Sequence, residues 1–118
     1  MSRVTRGTTR IKQRKRILRS AKGYWGTKSK LHRAAKEQVL RSLAFSYRDR
    51  RCRKRVFRRL WVTRIGAAAR RHGLSYSQFV HGLKVAGLDL NRKMLADIAV
   101  RDDAGFRDLA ETARQAIG

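Results

Sequence analysis

Residues Ser46–Trp61 read SYRDRRCRKRVFRRLW, with no Gly or Pro to interrupt them. Six of the eight residues Arg48–Arg55 are basic, and the other two are one acid and one cysteine. On both sides of this stretch, at 31–47 and at 57–69, apolar residues recur every four positions. Because steps of four share one face of an α-helix, the pattern predicts a single long helix with a charged middle.

The predicted helix runs from about Thr27 to His72, with Gly66 as its only potential breaker. A helix of ~45 residues would be ~68 Å long at 1.5 Å per residue, so much of it must project from a small domain. No heptad repeat survives residues 48–55, which excludes a coiled coil.

Positive charge is concentrated in the first half of the chain. The 118 residues contain 31 Lys and Arg against 8 Asp and Glu, a formal net charge of +23. Residues 1–60 hold 22 of the basic and 2 of the acidic side chains, whereas residues 61–118 hold 9 and 6. Such a surplus indicates a polyanionic partner. We therefore predict a basic helical arm at residues 1–60 and a small globular helical domain at residues 61–118.

The residues Arg48–Arg59, here called the charged block, point to the kind of polyanion. Four like-charge pairs are spaced i,i+4, and Asp49–Arg53 is the one favourable pair, so the net penalty is roughly 1 kcal/mol at low salt. Successive side chains lie about 100° apart and point all round the helix. A membrane or a DNA groove contacts essentially one face, and a membrane also requires an apolar stripe. Folded RNA can contact several faces. The alternative, a helix surrounded only by solvent, usually mixes both signs of charge, and this block has a single acidic residue.

A first basic helix is predicted at Thr9–Lys22, ending at a hinge, Gly23–Gly26. Tyr24 and Trp25 lie between the two glycines, where they either stack on unpaired bases or pack under the hinge. The acid-free first 22 residues suit an RNA-binding tail better than an organelle transit peptide, which they resemble loosely.

Capping signals divide the second half into short helices, which predicts an all-α fold. Gly73 can end the long helix, and Ser75 with Gln78 forms a capping box for the next one. Asn91 can cap a further short helix, and either Asp102 or Asp103 can cap the last helix. The apolar stripes are Phe79, Val80, Leu83 and Ala86, then Met94, Leu95, Ile98 and Ala99, then Phe106, Leu109, Ala110, Ala113 and Ile117.

The sequence favours neither an enzyme nor a metal protein. His32, His72 and His81 are too scattered for a metal motif, and the only cysteine, Cys52, allows no disulfide or cysteine-rich zinc site. No apolar run approaches the length of a membrane span. We expect no cofactor, no metal, no small-molecule substrate and no membrane partner.

Several motifs resemble those of the bacterial-type large-subunit ribosomal protein L20 family. The resemblance is most specific in the centre and spans nearly the whole chain, although Trp25, Gly66 and His81 depart from the usual pattern. The matching segments are Arg3-Val4, Arg6-Gly7, Ala21–Tyr24, Tyr47–Arg51, Arg53–Arg55, Phe57-Arg58, Leu60-Trp61, Arg64-Ile65, Ala67–Arg70, Gly73–Ser77 and Asn91–Ala99.

The resemblance implies a non-catalytic protein that binds large-subunit rRNA directly, early in assembly, beside neighbouring large-subunit proteins. It implies a basic arm within the rRNA, a helical domain on the subunit surface and, in some members, repression of the protein's own messenger RNA. It places the protein on ribosomes, in the bacterial cytoplasm or in the matrix or stroma of an organelle. A DNA-compacting basic protein is the alternative class.

The predicted rRNA contacts are basic or aromatic residues, nearly all from the first half. They are Arg3, Arg6, Arg10, Lys12, Arg14, Lys15, Arg16, Arg19, Lys22, Tyr24, Trp25, Lys28, Lys30, Arg33, Lys36, Tyr47, Arg48, Arg50, Arg51, Arg53, Lys54, Arg55, Arg58, Arg59 and Arg64.

Overall fold

A computed structural model describes residues 7–118 of the protein. Within that range the regular structure is helical and contains no strand, which confirms the prediction of an all-α fold. Five α-helices occur, together with one short 3-10 helix at Gly26–Ser29. The α-helices are α1 (Thr8–Ser20), α2 (His32–Arg71), α3 (Tyr76–Val85), α4 (Arg92–Arg101) and α5 (Asp103–Ile117).

The long helix α2 begins five residues later than the sequence predicted. The 3-10 helix at Gly26–Ser29 takes up the start of the expected range, and the Ser29 hydroxyl donates a hydrogen bond to the Gly26 carbonyl at 3.0 Å. Short hydroxyl side chains favour such local bonds over a continuous α-helix. The apolar step of four begins only at Leu31 and carries no information about residues 27–30, so the predicted boundary was wrong.

The other end of α2 lies where the sequence predicted it. Gly73 has a φ of +78°, and its N–H donates to the Arg70 carbonyl at 3.0 Å. The N–H of Leu74 donates to the Ala69 carbonyl, also at 3.0 Å. This pair of bonds is the Schellman motif, and it requires the left-handed backbone that glycine adopts without strain.

The chain divides into two compact units, Met1–Arg51 and Cys52–Gly118. The first contains α1 and the beginning of α2, and the second contains the end of α2 with α3, α4 and α5. From the distribution of charge we predicted that the basic, RNA-binding arm ends at residue 60. That boundary stays a prediction.

The first unit buries very little. Among residues 7–51 only Ala21 and Ala35 are buried. Tyr24 is half-buried, and its hydroxyl donates to the Ser42 hydroxyl at 2.6 Å. Ordering this unit therefore depends on backbone hydrogen bonds and on very few apolar contacts, which are the main source of folding free energy in ordinary domains.

The second unit has a conventional hydrophobic core. At its centre the rings of Phe79 and Phe106 stack with their centroids 4.8 Å apart. The buried residues of this core are Ile65, Ala68, Ala69, Leu74, Phe79, Leu83, Leu95, Ala96, Phe106, Ala110 and Ala113. Eight of these belong to the predicted apolar stripes or to the step of four in α2. The apolar periodicity therefore identified the inner face of each helix.

Three residues of the predicted stripes lie outside the core. Ala86 is the C-cap of α3, where the helical periodicity ends. Met94 is 49% exposed in the first turn of α4, and Ile117 is 42% exposed in the last turn of α5. Each lies at a helix end, which explains why a pattern that continues in sequence does not continue in the packing.

The predicted caps of the short helices are confirmed. Ser75 and Gln78 form the reciprocal capping box of α3, and the Asn91 side chain accepts the Met94 N–H at 2.8 Å. Of the two candidates for α5, the structure selects Asp102, which accepts the Gly105 N–H at 2.9 Å. Local hydrogen-bonding chemistry therefore sets these helix starts.

At Gly82 the helix α3 lies close to the backbone of α5, and the sequence analysis did not single out this residue. A Cβ atom there would lie 2.4 Å from the Ala113 carbonyl oxygen and 2.8 Å from its Cα. The contacting atoms belong to backbone, which cannot move aside as a flexible side chain would. Gly66 in α2 differs, because a Cβ there would meet only the Tyr76 Cβ, at 3.8 Å.

We expect Gly82→Ala to lower the free energy of unfolding by about 1–3 kcal/mol, because overpacking against backbone outweighs the better helix propensity of Ala. Gly66→Ala is the matched control, and it should raise stability by up to about 1 kcal/mol. Urea denaturation followed by circular dichroism measures both. Equal stabilisation of the two variants would contradict the close approach of α3 and α5.

Candidate nucleic-acid interface

The structure exposes nearly all the predicted rRNA contacts. Arg3 and Arg6 lie outside the described residues, Tyr24 is half-buried, and the other predicted residues are exposed. The contacts on α1 are Arg10, Lys12, Arg14, Lys15, Arg16 and Arg19; those between α1 and α2 are Lys22, Tyr24, Trp25, Lys28 and Lys30; those on α2 are Arg33, Lys36, Tyr47, Arg48, Arg50, Arg51, Arg53, Lys54, Arg55, Arg58, Arg59 and Arg64.

The centre of α2 is accessible on every face. Every residue from 43 to 51 and from 53 to 60 is exposed, and only Cys52 between them is partly covered. More than two full helical turns on each side of Cys52 are therefore open all round. A ligand with one flat surface or one groove could contact only part of the circumference of this helix. A folded polyanion could contact all of its faces.

The acidic residue within the charged block has a different partner from the one predicted. Asp49 Oδ1 lies 3.2 Å from Arg48 Nη2 and 3.4 Å from Arg48 Nε, so the ion pair joins neighbours in sequence. The predicted i,i+4 pair with Arg53 does not form. The spacing rule for helices did not predict this contact, because it places the side chains at i and i+1 on different faces.

Three arginines of the charged block contact residues that lie one turn earlier in α2. The Cζ atom of Arg48 lies 4.5 Å from the ring centroid of Phe45, and that of Arg51 lies 4.7 Å from the ring centroid of Tyr47. The third, Arg50, donates from Nη1 to the Ser46 hydroxyl at 2.7 Å.

The sequence analysis missed two kinds of residue in this region. Phe45 and Ser46 were not predicted to contribute, although their i,i+3 and i,i+4 spacing from arginines was a signal for such contacts. Arg41 was also left out, yet it is an exposed cation on α2 like the arginines around it.

The two aromatic residues of the hinge lie in different environments. Tyr24 packs within the first unit through its bond to Ser42, whereas Trp25 is 87% exposed. Both bracketing glycines have positive φ, +85° at Gly23 and +61° at Gly26, so the turn depends on them. The sequence left open whether these rings stack on bases or pack under the hinge. Tyr24 packs, whereas Trp25 has the free faces that stacking requires.

Arg64 lies in the second unit, beside a shallow cleft of about 550 Å³. Trp61 also lines this cleft, and its half-buried ring packs against the core of the second unit. Trp61 therefore contributes to the core of this unit.

Other functional classes receive no support from the described part of the chain. Residues 7–118 contain no cluster of three or more His, Cys, Asp or Glu side chains placed to bind a metal ion. None of the helices in that range has the length and apolar character needed to cross a bilayer.

Comparison with known proteins agrees with this geometry. Residues 3–109 match the family described as Ribosomal protein L20. The chain belongs to the ribosomal protein L20 family. It is also 61% identical, over 117 residues, to the large ribosomal subunit protein bL20 of Solibacter usitatus (strain Ellin6076), an alignment that covers 99% of this chain and 90% of that relative.

Membership of the L20 family confirms the resemblance noted from the central motifs. The chain is a ribosomal protein of the large subunit and of bacterial type, a structural protein and not an enzyme. Its location is the ribosome, in a cytoplasm or an organelle matrix.

The hinge provides a matched pair of variants. We expect Trp25→Ala to reduce affinity for large-subunit rRNA about 5- to 150-fold, because stacking on an unpaired base contributes about 1–3 kcal/mol. Helicity should not change, since the ring is exposed. Tyr24→Phe should instead lower the stability of the first unit by about 1 kcal/mol through loss of its hydrogen bond. Filter binding and thermal circular dichroism separate these effects, and unchanged binding by Trp25→Ala would contradict the stacking role.

Proposed function

We propose that the protein binds large-subunit rRNA directly through its basic first half and organises that RNA during early subunit assembly. The observation that carries the proposal is the charged block, in which eight basic side chains and one acidic side chain lie on a helix exposed on every face. Family membership gives the ribosome as the setting, and the block gives the chemistry of the contact.

The mechanism is phosphate neutralisation from within a folded RNA. Four like-charge pairs, spaced i,i+4, cost the free helix roughly 1 kcal/mol. Phosphates placed alongside replace this repulsion by attraction and release the counterions condensed on the RNA. Because cations point in every direction from the helix, RNA segments on opposite sides can be brought together around it.

Arginine suits this role better than lysine. Seven of the eight cations in the charged block are arginines, whose planar guanidinium can bind a phosphate through two parallel hydrogen bonds. The same plane stacks on bases, which allows contacts with unpaired nucleotides as well as with backbone phosphates.

The second unit supplies an anchor for α2 and surface for protein neighbours. Its carboxylates are largely used within the unit, for example Asp97 with Arg101 at 3.0 Å, so its surface is closer to neutral than that of the first. We include neighbouring large-subunit proteins among the partners. Repression of the protein's own messenger RNA, which the family resemblance implied for some members, stays a prediction.

Fractionation of cell extracts tests the proposal directly. Epitope-tagged protein should sediment with large subunits and with their early precursors on a density gradient, because assembly incorporates it before the RNA is fully folded. Tagged protein found only in the unbound fractions, or only on completed subunits, would contradict the assembly role.

The salt dependence of binding tests the role of the charged block. Replacing Arg53, Lys54 and Arg55 together by Gln should lower the slope of log affinity against log salt by about 2 to 3, since each neutralised phosphate contributes about 0.7–0.9. The control replaces Lys84, Arg101 and Arg107, three exposed cations of α3, α4 and α5, and should leave the slope nearly unchanged. Equal reductions of the slope in the two variants would show that RNA is attracted by net charge in general. That result would contradict binding at the charged block.

A further inference from the structure

We infer that Phe45 and Tyr47 are positioning residues, which hold the guanidinium groups of Arg48 and Arg51 in the orientation that binds RNA phosphates. This inference rests on the proposed function and adds that the arginines of the charged block contribute to binding in two different ways. The arginines at its start are oriented before RNA arrives, and those further along are not.

Arg48 is restrained in two independent ways. Its Cζ atom lies 4.5 Å from the Phe45 centroid, which fixes one face of the guanidinium against the ring. Both its Nε and its Nη2 are directed at Asp49 Oδ1, at 3.4 and 3.2 Å, which fixes one edge. The Arg48 side chain is still 64% exposed, so the outer edge, with Nη1, is open to a phosphate.

Arg51 has a ring contact of the same kind at a different spacing, without a carboxylate partner. Its Cζ atom lies 4.7 Å from the centroid of Tyr47, at i,i+4, whereas Arg48 and Phe45 are at i,i+3. Three residues along an α-helix correspond to a rotation of about 300°, so Arg48 and Arg51 lie only about 60° apart round the axis. The two oriented guanidiniums therefore share one side of α2 and can serve neighbouring phosphates of one RNA strand.

The part of the charged block beyond Arg51 lacks such restraints. Among the contacts of the described residues, no hydrogen bond, ion pair or ring contact involves the side chains of Arg53, Lys54, Arg55 or Arg58. A long flexible side chain loses conformational entropy when RNA fixes it, and a side chain that is already oriented loses less. Equal charges in the two parts of the block should thus contribute unequally to affinity.

The rings themselves have a simpler alternative role, since Phe45 is 51% and Tyr47 56% exposed. They could stack on bases without involving the arginines. A positioning residue acts only through its arginine, so its effect must disappear when that arginine is removed. A double-mutant cycle measures this dependence.

The test uses the full-length protein and in vitro transcribed large-subunit rRNA. We expect Phe45→Leu and Tyr47→Leu each to reduce affinity about 2- to 5-fold, the size of an exposed cation–π contact. Leu forms helices at least as well as either aromatic residue, so the backbone should be unaffected. The salt slope should stay at the wild-type value because no charge is removed. Phe45→Tyr and Tyr47→Phe keep a ring and should retain wild-type affinity.

The decisive arm combines Phe45→Leu with Arg48→Gln. If Phe45 acts through Arg48, adding Phe45→Leu to the Arg48→Gln protein causes no further loss. A full further loss of 2- to 5-fold in that background would show that the ring binds RNA directly and would overturn the inference. Tyr47→Leu with Arg51→Gln is the corresponding cycle for the second pair.

Phe57→Leu is the matched control within the same helix. Phe57 is 47% exposed, and its ring lies 6.2 Å from that of Trp61 with no guanidinium over it. Its replacement should leave affinity unchanged, and a loss equal to that of Phe45→Leu would overturn the positioning role. If wild-type protein binds unrelated RNA of equal length as tightly as rRNA, both the proposed function and this inference are overturned. If wild-type binding is selective but the two substitutions of each cycle have additive effects, the inference alone is overturned.

Discussion

Repulsion among cations on a single helix is the constraint on which the rest of the structure depends. In residues 7–51 the only ion pair joins Arg48 to Asp49, and only Ala21 and Ala35 are buried. The first unit thus has few counter-charges and almost no core of its own to hold it. Its backbone satisfies its hydrogen bonds within helices and turns, and the missing electrostatic partner must come from outside the chain.

The acidic residues explain how residues 61–118 avoid the same difficulty. Asp102 caps α5, Asp97 pairs with Arg101, and Glu111 lies 4.0 Å from Arg107. Such exposed pairs contribute little to stability individually, but they lower the local net charge and free the apolar faces to pack. The segregation of charge along the sequence therefore corresponds to two ways of becoming ordered, one by a core and one by a ligand.

What the sequence predicted well is chemistry that acts over a few residues. The Ser75 box, the Asn91 cap and the turn at Gly73 all depend on short-range hydrogen bonds, and all three formed as expected. The start of α2 and the partner of Asp49 were wrong, because the apolar step carries no information about residues 27–30 and the spacing rule places neighbours in sequence on different faces. The closeness of Gly82 to Ala113 could not be predicted, since it depends on how two helices pack and not on either helix alone. For the candidate interface, charge identified the cations, but the ring contacts of Arg48 and Arg51 required side-chain coordinates.

The different surroundings of the two tryptophans give the protein a pair of built-in optical reporters. Trp25 and Trp61 are the only indole fluorophores of the chain, the first 87% exposed and the second half-buried against a hydrophobic core. Emission from an indole in water lies at longer wavelength than emission from one shielded by apolar groups. The red edge of the spectrum therefore reports events at the hinge of the basic arm, and the blue edge reports the integrity of the helical domain. One unlabelled sample can follow both during a single titration.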